Sequence, residues 1–390
     1  MFANRRQAHG RSVMKRKIFL AILLLLIVSQ IPFAYRRYRL AKLQNAIQQL
    51  STERAPASSE NQYVDYKGVI HVHSSLGGHS NGNFSELMAA AKANQLDFVI
   101  MTEHPQPAFD TAAMTLNGTH DGVLFINGNE VSAENGDRLL VLPEEISIVA
   151  YPEEFRNWET AGLDGVEIYN VFTNARRVNP VAAFFDVLWS QRAYPELIFA
   201  LYLQRPDESL KKWDQALART RLTAVGGNDA HSNIGVSLKD SSGKTLLGIQ
   251  LDPYATSFRL VRLHVLVEQN RPLDEASVLE AIRAGHCFVG FDFLGDPAGF
   301  AFEAQNEGEN KIQGDEISLR SETRLRVRTP VPSRIVVLKD GAVFLDESGI
   351  NNKEIAVTER GVYRVEVYLP QLGGLVAQKP WIISNPIYVR

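Results

Sequence analysis

Residues 66–104 read YKGVIHVHSSLGGHSNGNFSELMAAAKANQLDFVIMTEH. The stretch divides into three parts. YKGVIHVH is a short apolar run that ends in polar residues, the mark of a buried strand. FSELMAAAKANQL has helical spacing, and Asn83 stands before it as an N-cap. DFVIMTEH is a second apolar run, again polar at its end. Strand, helix, strand at this spacing predicts a parallel α/β sheet or barrel. The pattern continues in GVLFINGNE (122–130), RLLVL (138–142), ISIVAYP (146–152), GVEIYN (165–170) and TAVGGNDAH (223–231). In such folds the C-terminal ends of the strands carry the active site.

The polar strand ends form a set. They are His71-Val72-His73 with the nearby His79, Thr102-Glu103-His104, Gly128-Asn129-Glu130, and Asn228-Asp229-Ala230-His231. Side chains alternate along a strand, so His-x-His is expected to place both imidazoles on one face. Two neutral imidazoles there make a clamp for a divalent metal, and Glu130 and Asp229 add oxygen ligands. Each piece alone has a plainer reading: His71 and His73 as a surface pair, His104 as a capping or core histidine, Asp229–His231 as a loop. Placement decides for the joint reading, because five of the nine histidines fall at strand ends, two carboxylates stand in equivalent places, and a solvated face predicts no such pattern.

The flanking sequence sets the setting. MKRK (14–17) precedes the uncharged run IFLAILLLLIVSQIPFAY (18–35), followed by RRYR (36–39). The run is near the lower limit of the roughly 17–25 residues that cross a bilayer as a helix. It reads as an uncleaved anchor rather than a signal peptide, because SQIPFAYRR is a poor cleavage site. Arg5, Arg6, Arg11, Lys15, Arg16 and Lys17 outnumber Arg36, Arg37, Arg39 and Lys42, which favours an inside N-terminus and an extracytoplasmic body. Residues 1–40 are thus the basic segment and anchor, and 41–62 a tether that begins as a polar helix. Residues 63–297 form the α/β unit. Residues 298–390 hold alternating strands with tight turns and read as a small antiparallel β-sandwich. The aromatic-rich 180–222 is interrupted by Asp186, Arg192, Pro195 and Glu196, so buried helices packed on the sheet are expected there. SVLEAIRAGHCFVGF (277–291) reads as a helix stopped at Gly285, then a strand. A formal net charge of −3 gives no reason to expect nucleic acid, and the single Cys287 excludes a disulfide framework.

HVHSSLGGHS, MTEH, GNE and NDAH, in this order, resemble the PHP family, named for polymerase and histidinol phosphatase domains. The resemblance runs from about Tyr63 to about Pro297. The tail, with GHCFVGFD, GVYRVEV and PWIISNPIYV, is similar to the exported or membrane-tethered members grouped with carbaryl hydrolase. The resemblance implies a distorted (β/α)7 barrel with divalent metals at the C-terminal rim. It assigns His71, His73, Glu130 and Asp229 to one metal site and His79, His104 and His231 to another. A further family site would need histidines where this chain has Arg138 and Tyr151, so two sites are expected rather than three. Arg138 would supply a fixed positive charge in that place and could hold phosphate or carboxylate. Tyr151 could donate a hydrogen bond there, and both are candidate substrate-binding residues. Glu103 is a smaller departure, since the family more often shows aspartate.

The expected activity is metal-dependent hydrolysis of a small-molecule substrate, phosphoesters first, with Asp229 or His231 managing protons. An ester, carbamate or amide hydrolase is the alternative, and a non-catalytic metal-binding sensor a third. Zinc suits the all-histidine site, and manganese or iron also suits the mixed one. Thr102 and Asn228 are expected to orient ligands. Glu167, Tyr169 and Asn170 end a strand on the same rim, where lining and packing roles are equally open. Arg176 and Arg177 read as solvated loop residues, His264 and His286 as structural, His120 as a turn residue and Cys287 as a buried small hydrophobe.

Overall fold

A computed structural model describes residues 3–54, 62–175, 179–233, 235–239, 245–250 and 252–390. Arg176 and Arg177 lie outside them. The fold is mixed α/β, with eight α-helices and a large mixed sheet among the described residues.

Tyr63–Val72 is the central strand. It pairs in parallel with Phe98–Met101 on one side and Thr223–Ala230 on the other. Phe98–Met101 continues in parallel to Val123–Ile126, and Thr223–Ala230 to Gly165–Asn170 and then Ser147–Ala150. The second half of Tyr63–Val72 and its parallel neighbours are buried almost throughout, and they are mainly apolar before their polar C-terminal ends, as parallel strands covered on both faces require. Their C-terminal ends share one edge, which brings His71, Thr102, Asn170 and Asp229 together. Asn129–Ser132 and Arg138–Val141 join as an antiparallel insertion that leads to Ser147–Ala150.

Local signals act as expected at two helices. Phe84–Ala93 starts with a complete capping box between Asn83 and Glu86. Glu275–Ala284 ends at Gly285 in the left-handed region, φ 76°.

Three features differ from expectation. Cys287–Gly290 pairs with Pro380–Ser384, so the C-terminal antiparallel strands belong to the same sheet as the rest. The Asn385 side chain reinforces that seam, accepting from the Ala224 amide and donating to the Cys287 carbonyl. Ala3–Thr52 is one continuous helix. Beyond its apolar run it is docked rather than loose, with Leu40, Leu43 and Leu50 buried in the main core. Finally, only part of 180–222 is buried: Leu197, Ala200, Leu210 and Trp213 join the core, whereas Val181, Phe184, Leu188 and Trp189 are exposed. The N-terminal helix is long and apolar enough to cross a membrane, as an anchor or a signal sequence, and its residues 18–29 are exposed throughout.

Candidate metal centre

The polar strand ends converge. His71 Nε2 lies 3.4 Å from Glu130 Oε2 and 3.5 Å from Asp229 Oδ1. His73 Nε2 lies 3.6 Å from each of the same two oxygens. Four ligands held about 2.0–2.1 Å from a tetrahedral ion stand about 3.4 Å apart. The four His–carboxylate separations are close to that edge, and His71, His73 and Glu130 lie within metal-binding reach of one another, with Asp229 beside them. His104 Nδ1 is 3.5 Å from Glu130 Oε2, and His231 Nδ1 is 3.2 Å from Asp229 Oδ1. His73, His104 and His231 form a second group with ligand atoms in metal-binding reach of one another, beside His71, His73 and Glu130. His73 thus belongs to both groups, its ring stacked on His104 at 4.5 Å and on His231 at 4.2 Å. His79 stands at the margin, edge-on to His104 at 4.7 Å, and completes neither group.

Hydrogen bonding also points to a missing cation. Both ring nitrogens of His73 and Oδ1 of Asp229 are buried without a hydrogen-bond partner. Each such atom costs about 1–3 kcal/mol in a dry interior. A divalent ion would satisfy His73 Nε2 and Asp229 Oδ1 together.

Charge balance agrees. Burial alone would lower the pKa of His71, but Glu167 and Asp229 win and hold it well above its ordinary value. Burial pushes His73 down to about 3, keeping it neutral and ready to ligate. Burial would raise Asp229, yet His71, His231 and His73 hold it well below its usual range. Glu130, buried but facing His71, His73 and Arg138, is held at about 2.

The backbone is strained where it aims these groups. His71 has φ 66° and sits at a break in register between Ile70 and Val72. Regular alternation therefore does not bring His71 and His73 together; a left-handed residue does. Asp229 (φ 48°) and Tyr151 (φ 51°) are also left-handed. Such residues cost of order 1–3 kcal/mol each and cluster at functional sites.

The orienting residues are not those expected. The Asn228 amide donates to the Val261 carbonyl, and the Thr102 hydroxyl has no partner. Glu167 does the work instead, its Oε1 2.6 Å from His71 Nδ1, which turns Nε2 toward the carboxylates. Asn170 donates to Glu167 Oε2 at 3.1 Å and to Asp229 Oδ2 at 3.3 Å. A sequence signal for Glu167 exists in Gly227: a Cβ there would stand 1.7 Å from Glu167 Oε1, so the seat needs glycine. Glu103 is also structural support, accepting from the Ser74 amide and hydroxyl and from the Thr115 hydroxyl. Tyr254, which sequence reasoning missed, donates to the His73 carbonyl at 2.6 Å.

Arg138 and Tyr151 occupy the far oxygens. Arg138 Nη1 donates to Glu130 Oε1 at 2.9 Å, and Tyr151 Oη to Asp229 Oδ2 at 2.8 Å. The guanidinium lies over the Tyr151 ring at 5.5 Å. The oxygens that could bridge to a further cation are thereby taken by fixed donors.

A third His/Asp group, His264 with Asp292 and Asp296, also lies within metal-binding reach. Its charges are already answered: Asp292 by Arg262, Asp296 by Lys67 and Arg54, and His264 by Asp65 at 2.8 Å.

No family model matches the chain, and no curated protein matches it.

Proposed function

We propose that the protein is a membrane-tethered, metal-dependent hydrolase of the PHP type that acts first on phosphoesters. One observation carries the reading: His73 Nε2 and Asp229 Oδ1 are buried without hydrogen-bond partners, and each lies 3.5–3.6 Å from a further ligand atom of the His71, His73 and Glu130 group. His71, His73, Glu130 and Asp229 would hold that ion. His104 and His231, with His73 or His79, would hold a second. Zinc fits the histidine-rich set, and manganese or iron fits the carboxylate-bearing one. The parallel strands with ligands at their C-terminal ends support a distorted (β/α)7 barrel as the finer reading of the α/β region. The N-terminal helix is read as an uncleaved anchor with the body on the extracytoplasmic side.

A bound divalent cation supplies Lewis acidity and lowers the pKa of water. The chain supplies the rest. Glu167 and Asn170 fix the rings and carboxylates that ligate. Arg138 spends one N–H on Glu130 and keeps its other donors, with the side chain 46 % exposed at the rim. A guanidinium so placed suits a phosphoryl oxygen. His231 Nδ1 lies 3.2 Å from Asp229 Oδ1, and whichever of the two is not ligating would manage the proton.

The test is the metal content of the full chain in detergent, beside His73→Ala and His79→Ala, followed by a panel of phosphomonoesters, phosphodiesters and aryl esters. The full chain is needed because Leu40 and Leu43 are part of the core. Two metals and phosphoester turnover are expected. Turnover of esters or carbamates alone would move the reading to the other hydrolase class. A folded protein that takes up neither zinc nor manganese would sink the enzyme.

A further inference from the structure

The Pro180–Ser190 helix has an apolar face that no described residue covers. Val181 is 64 % exposed, Phe184 48 %, Leu188 62 % and Trp189 36 %. At 100° per residue these four positions fall in one stripe about 140° wide. The opposite side is committed to the body, with Asp186 and Ser190 buried.

The helix is fixed against the end of the membrane-length run. Asp186 Oδ2 accepts from Arg36 Nη1 at 2.6 Å, the Phe185 ring meets Phe33 at 5.0 Å, and Trp189 Nε1 donates to Gln30 Oε1 at 3.0 Å. Arg37 donates to the Trp189 carbonyl. Trp189 thus spans the N-terminal helix from Arg37, at its carbonyl, to Gln30, at its indole, which is about 10 Å toward the apolar segment at 1.5 Å per residue.

We propose that this short helix is a second, interfacial membrane contact, with Val181, Phe184, Leu188 and Trp189 immersed in the bilayer surface beside the span. The proposal rests on reading the N-terminal helix as a membrane anchor. The occupant is argued from continuity. Trp189 meets the N-terminal helix at Gln30, whose sequence neighbours Ile27, Val28 and Ile31 are themselves exposed and would be covered by a bilayer. Interfacial helices bury their apolar face roughly 5–10 Å deep. Trp189 next to Tyr35, Arg36, Arg37 and Tyr38 gives the aromatic and basic belt expected at headgroup level. Asp186 does not oppose burial, since Arg36 neutralises it on the side away from the stripe.

The experiment uses the full chain reconstituted in phosphatidylcholine vesicles. Trp189 fluorescence is isolated as the difference between the native chain and Trp189→Phe; Trp213 and Trp381 are buried in the body. Brominated acyl chains should quench that difference signal at least twofold, and aqueous iodide should leave it nearly unchanged. Independently, Phe184→Cys carrying an environment-sensitive dye should emit as in an apolar medium; the native Cys287 is buried and stays unlabelled. Iodide quenching without bromolipid quenching, from protein that resists carbonate extraction, would overturn the proposal and leave the anchor standing. Protection from both quenchers, with cross-linking through residue 184, would overturn it in favour of a second copy on that face. Release by carbonate would remove the anchor and the proposal together.

Discussion

Two buried charged regions of this protein have opposite hydrogen-bond economies. Around Arg364, Nε and Nη2 grip both oxygens of Asp214 at 2.7 and 2.8 Å, and Nη1 reaches Glu366 at 2.6 Å. Arg205 adds two donors to the same glutamate, and Tyr368 donates to it as well. None of these side chains has a buried polar atom without a partner. At the strand ends, by contrast, His73 has two such atoms and Asp229 one. Both regions are dry and charged, but only one is complete. The complete one joins the Asp207–Leu217 helix to the Gly361–Tyr368 strand and has nothing left to bind. The incomplete one gathers unpaired electron-pair donors within reach of one another, which is what a ligand site needs.

The comparison can be broken by substitution. His73→Leu keeps the volume and removes two unanswered nitrogens, so metal affinity should fall more than about 100-fold while the metal-free protein melts no lower. Metal titration and calorimetric melting in chelator would check both halves. A lower melting point without metal would mean that His73 has partners of its own. Glu366→Ala should do the reverse, leaving metal content alone and costing about 1–3 kcal/mol of stability in denaturant unfolding, because Arg364 and Arg205 each lose a buried acceptor while Asp214 and Asp207 still hold them.

Finer effects would sharpen it. Glu167→Gln should weaken metal binding by about 10–100-fold with little change in melting, by freeing the His71 ring. In acid the two regions should separate as well. Burial would raise Glu366, but Arg205 and Arg364 depress it from 4.5 to about 2. Its contribution to stability is full above its unfolded value and is lost as the pH falls from there through about 2. Unfolding measured between pH 5 and 2 should therefore lose a limb in Glu366→Gln (a range set by the two ends of that titration, about 4.3 unfolded and about 2 folded). The smallest effect is expected for Arg138→Ala, a rise in KM of about tenfold for phosphoesters with aryl esters unaffected. Equal losses on both substrates would assign Arg138 to the support of Glu130 alone.

Much of the parallel sheet was legible because its signals are local. Apolar runs ending in polar residues, the Asn83 cap and the Gly285 stop are each written within a few residues. The seven expected ligand residues converge on one end of the sheet for the same reason, although His79 sits at the edge of the set. What escaped is non-local. The seat of Glu167 depends on a glycine sixty residues later in the chain. The left-handed turn at His71 depends on two neighbouring strands holding it from either side. Pairing of Cys287–Gly290 with Pro380–Ser384 spans too much sequence for any periodicity to show. The apolar Pro180–Ser190 helix was misplaced because amphipathic spacing is the same whether the apolar face meets a core or something outside it.

The unbroken N-terminal helix has one more consequence. From Arg36 to Thr52 it runs about 25 Å at 1.5 Å per residue, with its leucines sunk in the body. If its apolar half stands in a bilayer, the body cannot swing on a slack leash. It turns as a rotor turns on its axle, about the normal to the surface and little else. The mouth above His71 and Asp229 would then keep a constant elevation and a constant tilt. Substrates held at that same height would be searched for in two dimensions, and those in bulk solution would have to find an opening that never turns to face them.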